Sequence, residues 1–235
     1  MEVRSEQQTI DEQAIKIELD SKHILHGDLT LPSNSIGLVL FAHGSGSSRL
    51  SPRNKYVAQQ LNQARIGTFL LDLLTEDEEI EDNKTRKLRF NISFLSDRLS
   101  QVTDWLCQNN EHVKKLPLGF FGASTGGAAA IITGGVKQQR RTKAIVSRGG
   151  RPDLVPQEQL NQLTVPTLLI VGGADTDVIK MNKEAYSLMT QLKDDDKQKC
   201  LKLIPDATHL FEEEGALEQV SKLATQWFKE NFQQT

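Results

Sequence analysis

The stretch around Ser124 constrains the fold of this chain most strongly. An apolar run over residues 118–121 ends at Gly122-Ala-Ser-Thr-Gly126, and an alanine-rich pattern typical of a helix follows at once. This predicts a strand, a sharp turn and a helix, with the Ser124 hydroxyl at the apex of the turn. Such a turn is crowded, so the residues two before and two after the serine must be small, and both are glycine. The turn would also point the backbone N–H of Thr125 toward the hydroxyl, which predicts a nucleophile and one donor of an oxyanion hole.

Strands and helices alternate along the rest of the chain. Continuous apolar runs, typical of strands covered on both faces, occupy residues 36–42, 68–74, 118–123, 144–147, 165–171 and 199–204. Patterns with helical spacing separate them, starting at Ser51-Pro52 and covering residues 92–109, 179–192 and 217–228. Residues 14–19 and 23–31 resemble a hairpin with a turn at 20–22. The chain is therefore predicted to be an α/β protein of three layers, with a mostly parallel sheet, an N-terminal antiparallel hairpin, and helices on both faces.

Length and composition favour one catalytic or binding domain. With 235 residues the chain can form a single α/β domain, predicted over residues 13–235. Residues 1–12 are polar and mixed in charge, and we expect a flexible arm there.

Charge and cysteine content narrow the class of function. The net charge of −3 favours neither nucleic acid nor an anionic membrane as a partner. Cys107 and Cys200 lie in unrelated contexts, so they predict neither a metal site nor a disulfide framework. No run resembles a signal peptide or a membrane span. The sequence thus predicts a cytoplasmic protein without a metal or an organic cofactor.

Several loops that carry polar residues come directly after predicted strands. Because sites in parallel sheets form at the carboxyl ends of the strands, these loops are expected to share one rim. They comprise residues 43–48, 122–126, 148–153, 172–177 and 205–209.

A serine hydroxyl at neutral pH needs a base within hydrogen-bond reach, and that base needs an orienting acid. In enzymes with this serine turn the chain order is nucleophile, acid, histidine. His209 is the only histidine after Ser124 and follows the last predicted strand, so it is the candidate base. Two acids compete for the third position: Asp175, which lies in a Gly-x-x-Asp turn and is preferred, and Asp177, which could instead cap the next helix.

An oxyanion hole needs a second N–H besides that of Thr125. The loop after residues 36–42 is the expected source, with Ser45 as the first candidate and Gly44 as the next. His43, in the same loop, is interpreted as a structural residue that holds the loop in place.

Arginines at the same rim suggest an anionic ligand. Arg148 and Arg151 lie on a glycine-bearing loop and could bind a carboxylate or phosphate of a substrate. Alternatively they form a structural ion pair with Asp153. Arg49 and Arg53, near the expected oxyanion loop, could add to the same positive field.

Residues 76–91 are rich in segregated charges. They are predicted to run over the surface as a solvated excursion, and the alternative is a short lid over the site.

Together these motifs resemble the α/β-hydrolases, and among them the dienelactone-hydrolase-like group. The resemblance extends from residue 36 to about residue 230, and it rests on His43-Gly-Ser-Gly-Ser-Ser48, Gly122-Ala-Ser-Thr-Gly126, Ser147-Arg-Gly-Gly-Arg-Pro-Asp153, Gly172-Gly-Ala-Asp175 and Ala207-Thr-His-Leu-Phe211. It implies the α/β-hydrolase fold with little or no cap, and a triad of Ser124, Asp175 and His209.

Two features separate this chain from some of the proteins that it resembles. Dienelactone hydrolases use a cysteine nucleophile, whereas this chain has Ser124, which favours a general esterase. Similar proteins are sometimes labelled phosphoribosyltransferases through fusion to such a domain. Residues 69–75 lack the paired acids and the glycine that hold a ribose phosphate, so that activity is not predicted here.

The sequence therefore predicts a serine hydrolase that cleaves a carboxylic ester or lactone of a small molecule through an acyl-enzyme. An acyltransferase with the same triad and a non-catalytic binding protein of the same fold are the alternatives. A small-molecule ester or lactone is the expected partner.

Overall fold

The computed structural model describes residues 10–233. Its strands are β1 (Ile10–Glu18), β2 (Ile24–Pro32), β3 (Leu38–Ala42), β4 (Gly67–Leu71), β5 (Leu118–Ala123), β6 (Thr142–Arg148), β7 (Thr167–Gly172) and β8 (Lys199–Ile204). Its α-helices are α1 (Pro52–Gln63), α2 (Glu76–Thr85), α3 (Ile92–Asn109), α4 (Thr125–Ile132), α5 (Gln157–Asn161), α6 (Thr176–Leu188) and α7 (Ala216–Phe232).

The eight strands of the described chain form one sheet in the order β1-β2-β4-β3-β5-β6-β7-β8. β1 pairs with β2 and β2 pairs with β4 in antiparallel fashion, while all other neighbours are parallel. The predicted fold class, an α/β-hydrolase fold with an N-terminal hairpin, is confirmed. β5 lies between β3 and β6, so the turn after β5 opens at the centre of the carboxyl rim.

The N-terminal hairpin differs from the prediction at its start. β1 begins at Ile10, so residues 10–12, which the sequence assigned to a flexible arm, belong to an exposed edge strand. The rest of the expected arm, residues 1–9, lies outside the described residues. The turn is held by Asp20, whose carboxylate accepts the backbone N–H groups of Lys22 and His23.

Two apolar layers cover the two faces of the sheet, as continuous apolar strands require. One layer packs β-strand side chains against α3, α4, α5 and α6, and contains Phe69, Phe120 and Leu99. The other packs them against α1 and α7, and contains Phe121 and Phe228. The sheet is thus covered on both faces, and the polar residues of the predicted site lie in the loops that follow its strands.

Local capping signals set the helix starts near the rim. Ser51 caps α1 by accepting the N–H of Asn54, with Pro52 in the first turn. Thr75 and Glu78 form a capping box at the start of α2. As a result the charged residues 76–85 form a helix.

Over residues 10–233 no separate cap domain is inserted between the strands, in line with the prediction of little or no cap. The link from β6 to β7 holds only a short helical turn, Pro152–Leu154, and α5. Within the same residues, none of the helices combines the length and apolar character needed to cross a lipid bilayer.

Candidate active site

Ser124 lies between β5 and α4 with φ of 52° and ψ of −122°. A positive φ is unusual for a residue with a side chain and costs on the order of 1–3 kcal/mol, which the surrounding structure must hold in place. Strain of this kind is typical of a serine that is presented at a strand-to-helix turn.

Close backbone approach explains the two glycines that flank Ser124. A Cβ atom at Gly122 would lie 2.1 Å from the carbonyl oxygen of Gly126, and a Cβ at Gly126 would lie 2.2 Å from that of Ala42. Both distances are far inside van der Waals contact, so only glycine fits at either position.

Backbone hydrogen bonds fasten the turn to the neighbouring β6 loop. The N–H of Ser124 donates to the carbonyl oxygen of Arg148 at 3.2 Å, and the N–H of Arg151 donates to the carbonyl oxygen of Ser124 at 3.1 Å. The loop over residues 148–151 therefore fixes the position of the serine.

His209 and Asp175 form a hydrogen-bonded pair at the same rim. His209 Nδ1 and Asp175 Oδ2 are 2.7 Å apart, and the Asp175 side chain is only 15% exposed. Asp175 occupies the N-cap position of α6 but makes no capping bond, which leaves its carboxylate to the imidazole. Asp177, the competing acid, is exposed in the first turn of α6.

Tight packing of two loops brings this pair together. A Cβ atom at Gly172 would lie 2.3 Å from the carbonyl oxygen of Ala207 and 2.6 Å from that of Thr208. The end of β7 and the histidine loop, residues 205–213, are therefore in direct backbone contact.

Gly149 connects the histidine to the serine turn. A Cβ atom there would lie 3.5 Å from His209 Cε1, and the preceding carbonyl, that of Arg148, binds the N–H of Ser124. Among the described residues no hydrogen bond joins the Ser124 hydroxyl to the imidazole. In enzymes of this chemistry such a bond often tightens only with substrate bound.

The predicted oxyanion loop lies against the serine. A Cβ atom at Gly44 would lie 3.1 Å from both Ser124 Cβ and the carbonyl oxygen of Ala123. The backbone N–H of Ser45 donates to Thr125 Oγ1 at 3.0 Å. Ser45, the preferred second donor, is thus held by the buried side chain of Thr125, a contact that the sequence analysis missed.

His43 fixes the position of this loop through two hydrogen bonds of its ring. Its Nε2 accepts the N–H of Leu73 at 3.2 Å, so Nδ1 carries the ring proton and donates it to the carbonyl oxygen of Gly44 at 2.9 Å. Burial lowers the pKa of His43, which keeps the ring neutral. The contacts agree with the structural interpretation of this histidine.

The four rim arginines have different partners. Arg49 pairs with Asp72 and lies near Asp28, while Arg151 makes two hydrogen bonds to Asp153 at 2.8 and 2.7 Å. For Arg151 the structure therefore matches the ion-pair alternative.

Arg148 differs from the other rim arginines. Its side chain is 7% exposed and, within the described residues, forms no hydrogen bond or ion pair. Burial and the neighbouring Arg53 lower the pKa of Arg148 to about 10, so it remains charged at neutral pH.

A small cleft of about 30 Å³ adjoins the serine turn. Its lining includes the predicted oxyanion loop and Thr125, the apolar residues Leu73 and Leu74, and the charged residues Glu79, Asp82 and Arg89. Residues 76–91 therefore border the cleft.

Asn182 is a site-supporting residue that the sequence analysis missed. It is completely buried, and its side-chain amide donates to the carbonyl oxygens of Gly150 and Val178 at 3.0 and 2.8 Å. The bond to Gly150 connects α6 to the loop, residues 148–151, that fixes the position of Ser124. A polar residue on the buried face of a helix was the signal that could have revealed it.

Over residues 10–233 no group of three or more His, Cys, Asp or Glu side chains is placed to hold a metal ion.

Known proteins match both the sequence and the fold. A model of the α/β-hydrolase domain family matches residues 35–229. A dienelactone hydrolase from Anabaena variabilis is 47% identical, with a TM-score of 0.87 over 94% of this chain and 98% of that one. Est1E from Butyrivibrio proteoclasticus has a TM-score of 0.71 over 93% of this chain and 98% of its own, and at 16% identity this shows the fold alone.

Two Mycobacterium tuberculosis proteins, from strains CDC 1551 and H37Rv, are also 47% identical over 203 residues. Both are provisionally named phosphoribosyl transferases. The match covers 86% of this chain and 43% of each of theirs, so the chain spans less than half the length of these relatives. The chain belongs to the α/β-hydrolase domain family and is dienelactone-hydrolase-like within that superfamily.

Proposed function

We propose that this chain is a serine hydrolase that cleaves a carboxylic ester or lactone of a small molecule through an acyl-enzyme. The observation that carries the proposal is the strained backbone of Ser124 at the rim where the His209–Asp175 pair also lies. Six other non-glycine residues of the described chain also have positive φ, so positive φ alone does not mark a functional residue. Ser124 differs in its ψ of −122°, which lies outside the left-handed helical region, and strain of this kind supports a functional role for the serine.

The reaction follows from the roles of these groups. Ser124 Oγ attacks the carbonyl carbon while His209 Nε2 accepts the hydroxyl proton, and Asp175 stabilises the imidazolium that forms. The tetrahedral intermediate collapses to an acyl-serine, and His209 returns the proton to the leaving alcohol. Water then attacks the acyl-serine, assisted by His209 in the same way, and releases the acid.

Backbone N–H groups would stabilise the negative oxygen of each intermediate. The N–H of Thr125 lies at the start of α4, where the helix leaves its first N–H groups unpaired. The second donor would come from Ser45 or Gly44. The Ser45 N–H would have to be shared between the oxyanion and Thr125 Oγ1, to which it is bonded here.

Of the names carried by the relatives, one supports a substrate class for this chain and the other does not. The Anabaena variabilis relative is called a dienelactone hydrolase, which supports an ester or lactone substrate for this chain. The Mycobacterium tuberculosis relatives carry more than half of their length outside the match. Residues 69–75 of this chain lack the acid pair expected of a ribose-phosphate site, so we propose hydrolysis and not phosphoribosyl transfer.

Active-site labelling tests the proposal. A fluorophosphonate probe should add to the wild-type protein once, as seen by intact mass, and the adduct should be absent in Ser124→Ala and strongly slowed in His209→Ala. Ser187→Ala, at an exposed serine of α6, is the matched control and should label like the wild type. Folded wild-type protein that neither labels nor hydrolyses 4-nitrophenyl butyrate would refute the proposed function.

A further inference from the structure

Arg148 is a buried cation without a partner in the described chain. It ends β6 with 7% of its surface exposed, and its Nη1 atom has no hydrogen-bond acceptor. Another buried arginine, Arg98, makes two bonds to Glu78 at 3.0 and 2.7 Å. Because an unpaired buried charge is costly, the state of Arg148 points to a partner that the protein itself does not supply.

The surroundings of Arg148 are positive and partly aromatic. Its guanidinium lies 5.9 Å from the centroid of the Phe121 ring, and Arg53 of α1 is its charged neighbour. Arg53 Nη1 contacts the exposed Glu212 at 3.0 Å, while its buried Nε atom has no partner. Of these two guanidinium groups only that of Arg53 contacts a carboxylate, and the Glu212 carboxylate is exposed to solvent.

This pair of arginines adjoins the proposed catalytic residues. The carbonyl oxygen of Arg148 accepts the N–H of Ser124, and a Cβ atom on the next residue, Gly149, would lie 3.5 Å from His209 Cε1. Arg53 reaches the histidine loop through Glu212. An anion held by both arginines would therefore be anchored beside the serine turn and the histidine loop.

We propose that Arg148, assisted by Arg53, binds an anionic group of the substrate, so that the preferred esters carry a carboxylate or phosphate in addition to the scissile bond. This inference rests on the proposed function and names its substrate class. A planar guanidinium offers parallel N–H donors that match carboxylate or phosphate oxygens, and the sparse solvent around Arg148 strengthens such a bond. Arg151 and Arg49 do not share this role, because Asp153 and Asp72 already neutralise them.

Matched substrates test the anchor. Mono-4-nitrophenyl glutarate ends in a carboxylate, 4-nitrophenyl 4-phosphonobutyrate ends in a phosphonate, and 4-nitrophenyl pentanoate is the neutral reference. Wild-type protein should favour at least one anionic ester in kcat/KM. Arg148→Gln should lower that kcat/KM by about 10- to 100-fold, mainly through KM, and should change hydrolysis of the neutral ester by less than about 3-fold.

Arg140→Gln is the control, because Arg140 is an exposed arginine in the turn that precedes β6, at the opposite edge of the sheet. It should alter neither reaction. Arg53→Gln, at a more exposed side chain, provides a second variant if Arg148→Gln is poorly folded, and it should give a smaller loss in the same direction. Equal preference for charged and neutral esters in wild type, or equal losses for both in Arg148→Gln, would overturn the inference.

A binding experiment separates this inference from the proposed reaction. Calorimetry on Ser124→Ala with glutarate and with inorganic phosphate should show binding of at least one, and Arg148→Gln in the same background should abolish it. The dianion that binds distinguishes a carboxylate from a phosphate anchor. If wild type hydrolyses no ester but Ser124→Ala still binds the dianion through Arg148, the reaction is wrong and the anion site stands. If neither dianion binds and neutral esters are hydrolysed, the anion site is wrong and the reaction stands.

Discussion

Thr125 Oγ1 accepts the backbone N–H of Ser45 at 3.0 Å, across 80 positions of sequence. This bond joins the serine turn to the loop that is expected to complete the oxyanion hole. Thr125 is buried, so its hydroxyl has little alternative partner and keeps the Ser45 amide directed toward the helix start. One side chain thus couples the two halves of the proposed oxyanion hole.

Removing that hydroxyl should impair catalysis more than stability. Thr125→Val keeps the volume and β-branching but cannot accept the Ser45 N–H, so we expect kcat to fall by about 3- to 10-fold, as for the loss of one neutral hydrogen bond. Thr125→Ser, which keeps the hydroxyl, should stay within about 2-fold of wild type. The check is kcat for 4-nitrophenyl butyrate, with thermal unfolding measured in parallel. Equal rates for the two variants would contradict this role of the hydroxyl.

Because Asp175 is hydrogen-bonded to His209, replacing Asp175 should reduce kcat far more than replacing the nearby Asp177. Asp175→Asn removes the charge that orients the imidazole, and we expect kcat to fall by about 10³- to 10⁴-fold, the loss seen in serine proteases for this change. Asp177→Asn, at an exposed position of the same helix, should change kcat by less than about 3-fold. Steady-state kinetics of both variants decide between them, and a greater loss in Asp177→Asn would reassign the triad acid.

Buried neutral His43 should make the fold sensitive to mild acid. Its folded pKa lies below its unfolded value of 6.5, so the unfolded chain binds the proton more readily. Stability from this group is therefore complete above pH 6.5 and is lost as the pH falls below it, by at most about 1.4 kcal/mol per pH unit.

Urea unfolding at pH 7.5, 6.5 and 5.5 measures this loss while staying above the range in which carboxylates titrate. His43→Gln should flatten the pH dependence, whereas the exposed control His112→Gln should preserve it. An unchanged slope in His43→Gln would assign the acid sensitivity to other groups.

The segment that borders the cleft, residues 76–91, is stabilised by the buried carboxylate of Asp82. Asp82 is fully buried and accepts the N–H of Leu88 at 2.7 Å, the N–H of Arg89 at 3.2 Å and Arg89 Nε at 2.5 Å. Asp82→Ala leaves these donors unpaired, and we expect a loss of about 2–4 kcal/mol in the local stability of residues 76–91.

Hydrogen exchange should show this loss as faster amide exchange over residues 76–91, while the exchange rates of the β-strands stay unchanged. Glu81→Ala, at the exposed preceding residue, is the control. Unchanged exchange in Asp82→Ala would mean that α2 is held by other contacts.

Local patterns allowed most of the architecture to be predicted. The helix over residues 92–109 and the strand over residues 199–204 were predicted with the bounds that the structure has, because an apolar stripe or run encodes each of them locally. Residues 76–91 were predicted as a solvated excursion or, alternatively, a short lid, and no helix was assigned within them. Their helix comes from the capping box at Thr75 and from Asp82, and it lacks an apolar face to signal it.

In the candidate site, too, some features follow from local sequence and others only from tertiary packing. The turn at Ser124 could be predicted from sequence alone, because two glycines at fixed offsets are the local condition for its geometry. The sequence favoured Asp175 over Asp177 as the acid without excluding Asp177, and only the packing of Gly172 against the histidine loop places the Asp175 carboxylate on His209.

Sequence by itself determined the alternation of strands and helices, the serine turn and the order of the polar loops, because each depends on residues within about one turn or strand of each other. Tertiary structure decided the partners. Arg148 and Arg151 lie three positions apart in one loop and are chemically identical, yet Asp153 neutralises one and the protein leaves the other buried and unpaired. The physical reason is that hydrogen bonds and desolvation depend on which distant segments pack within about 3–4 Å of a side chain, and local sequence does not encode that proximity.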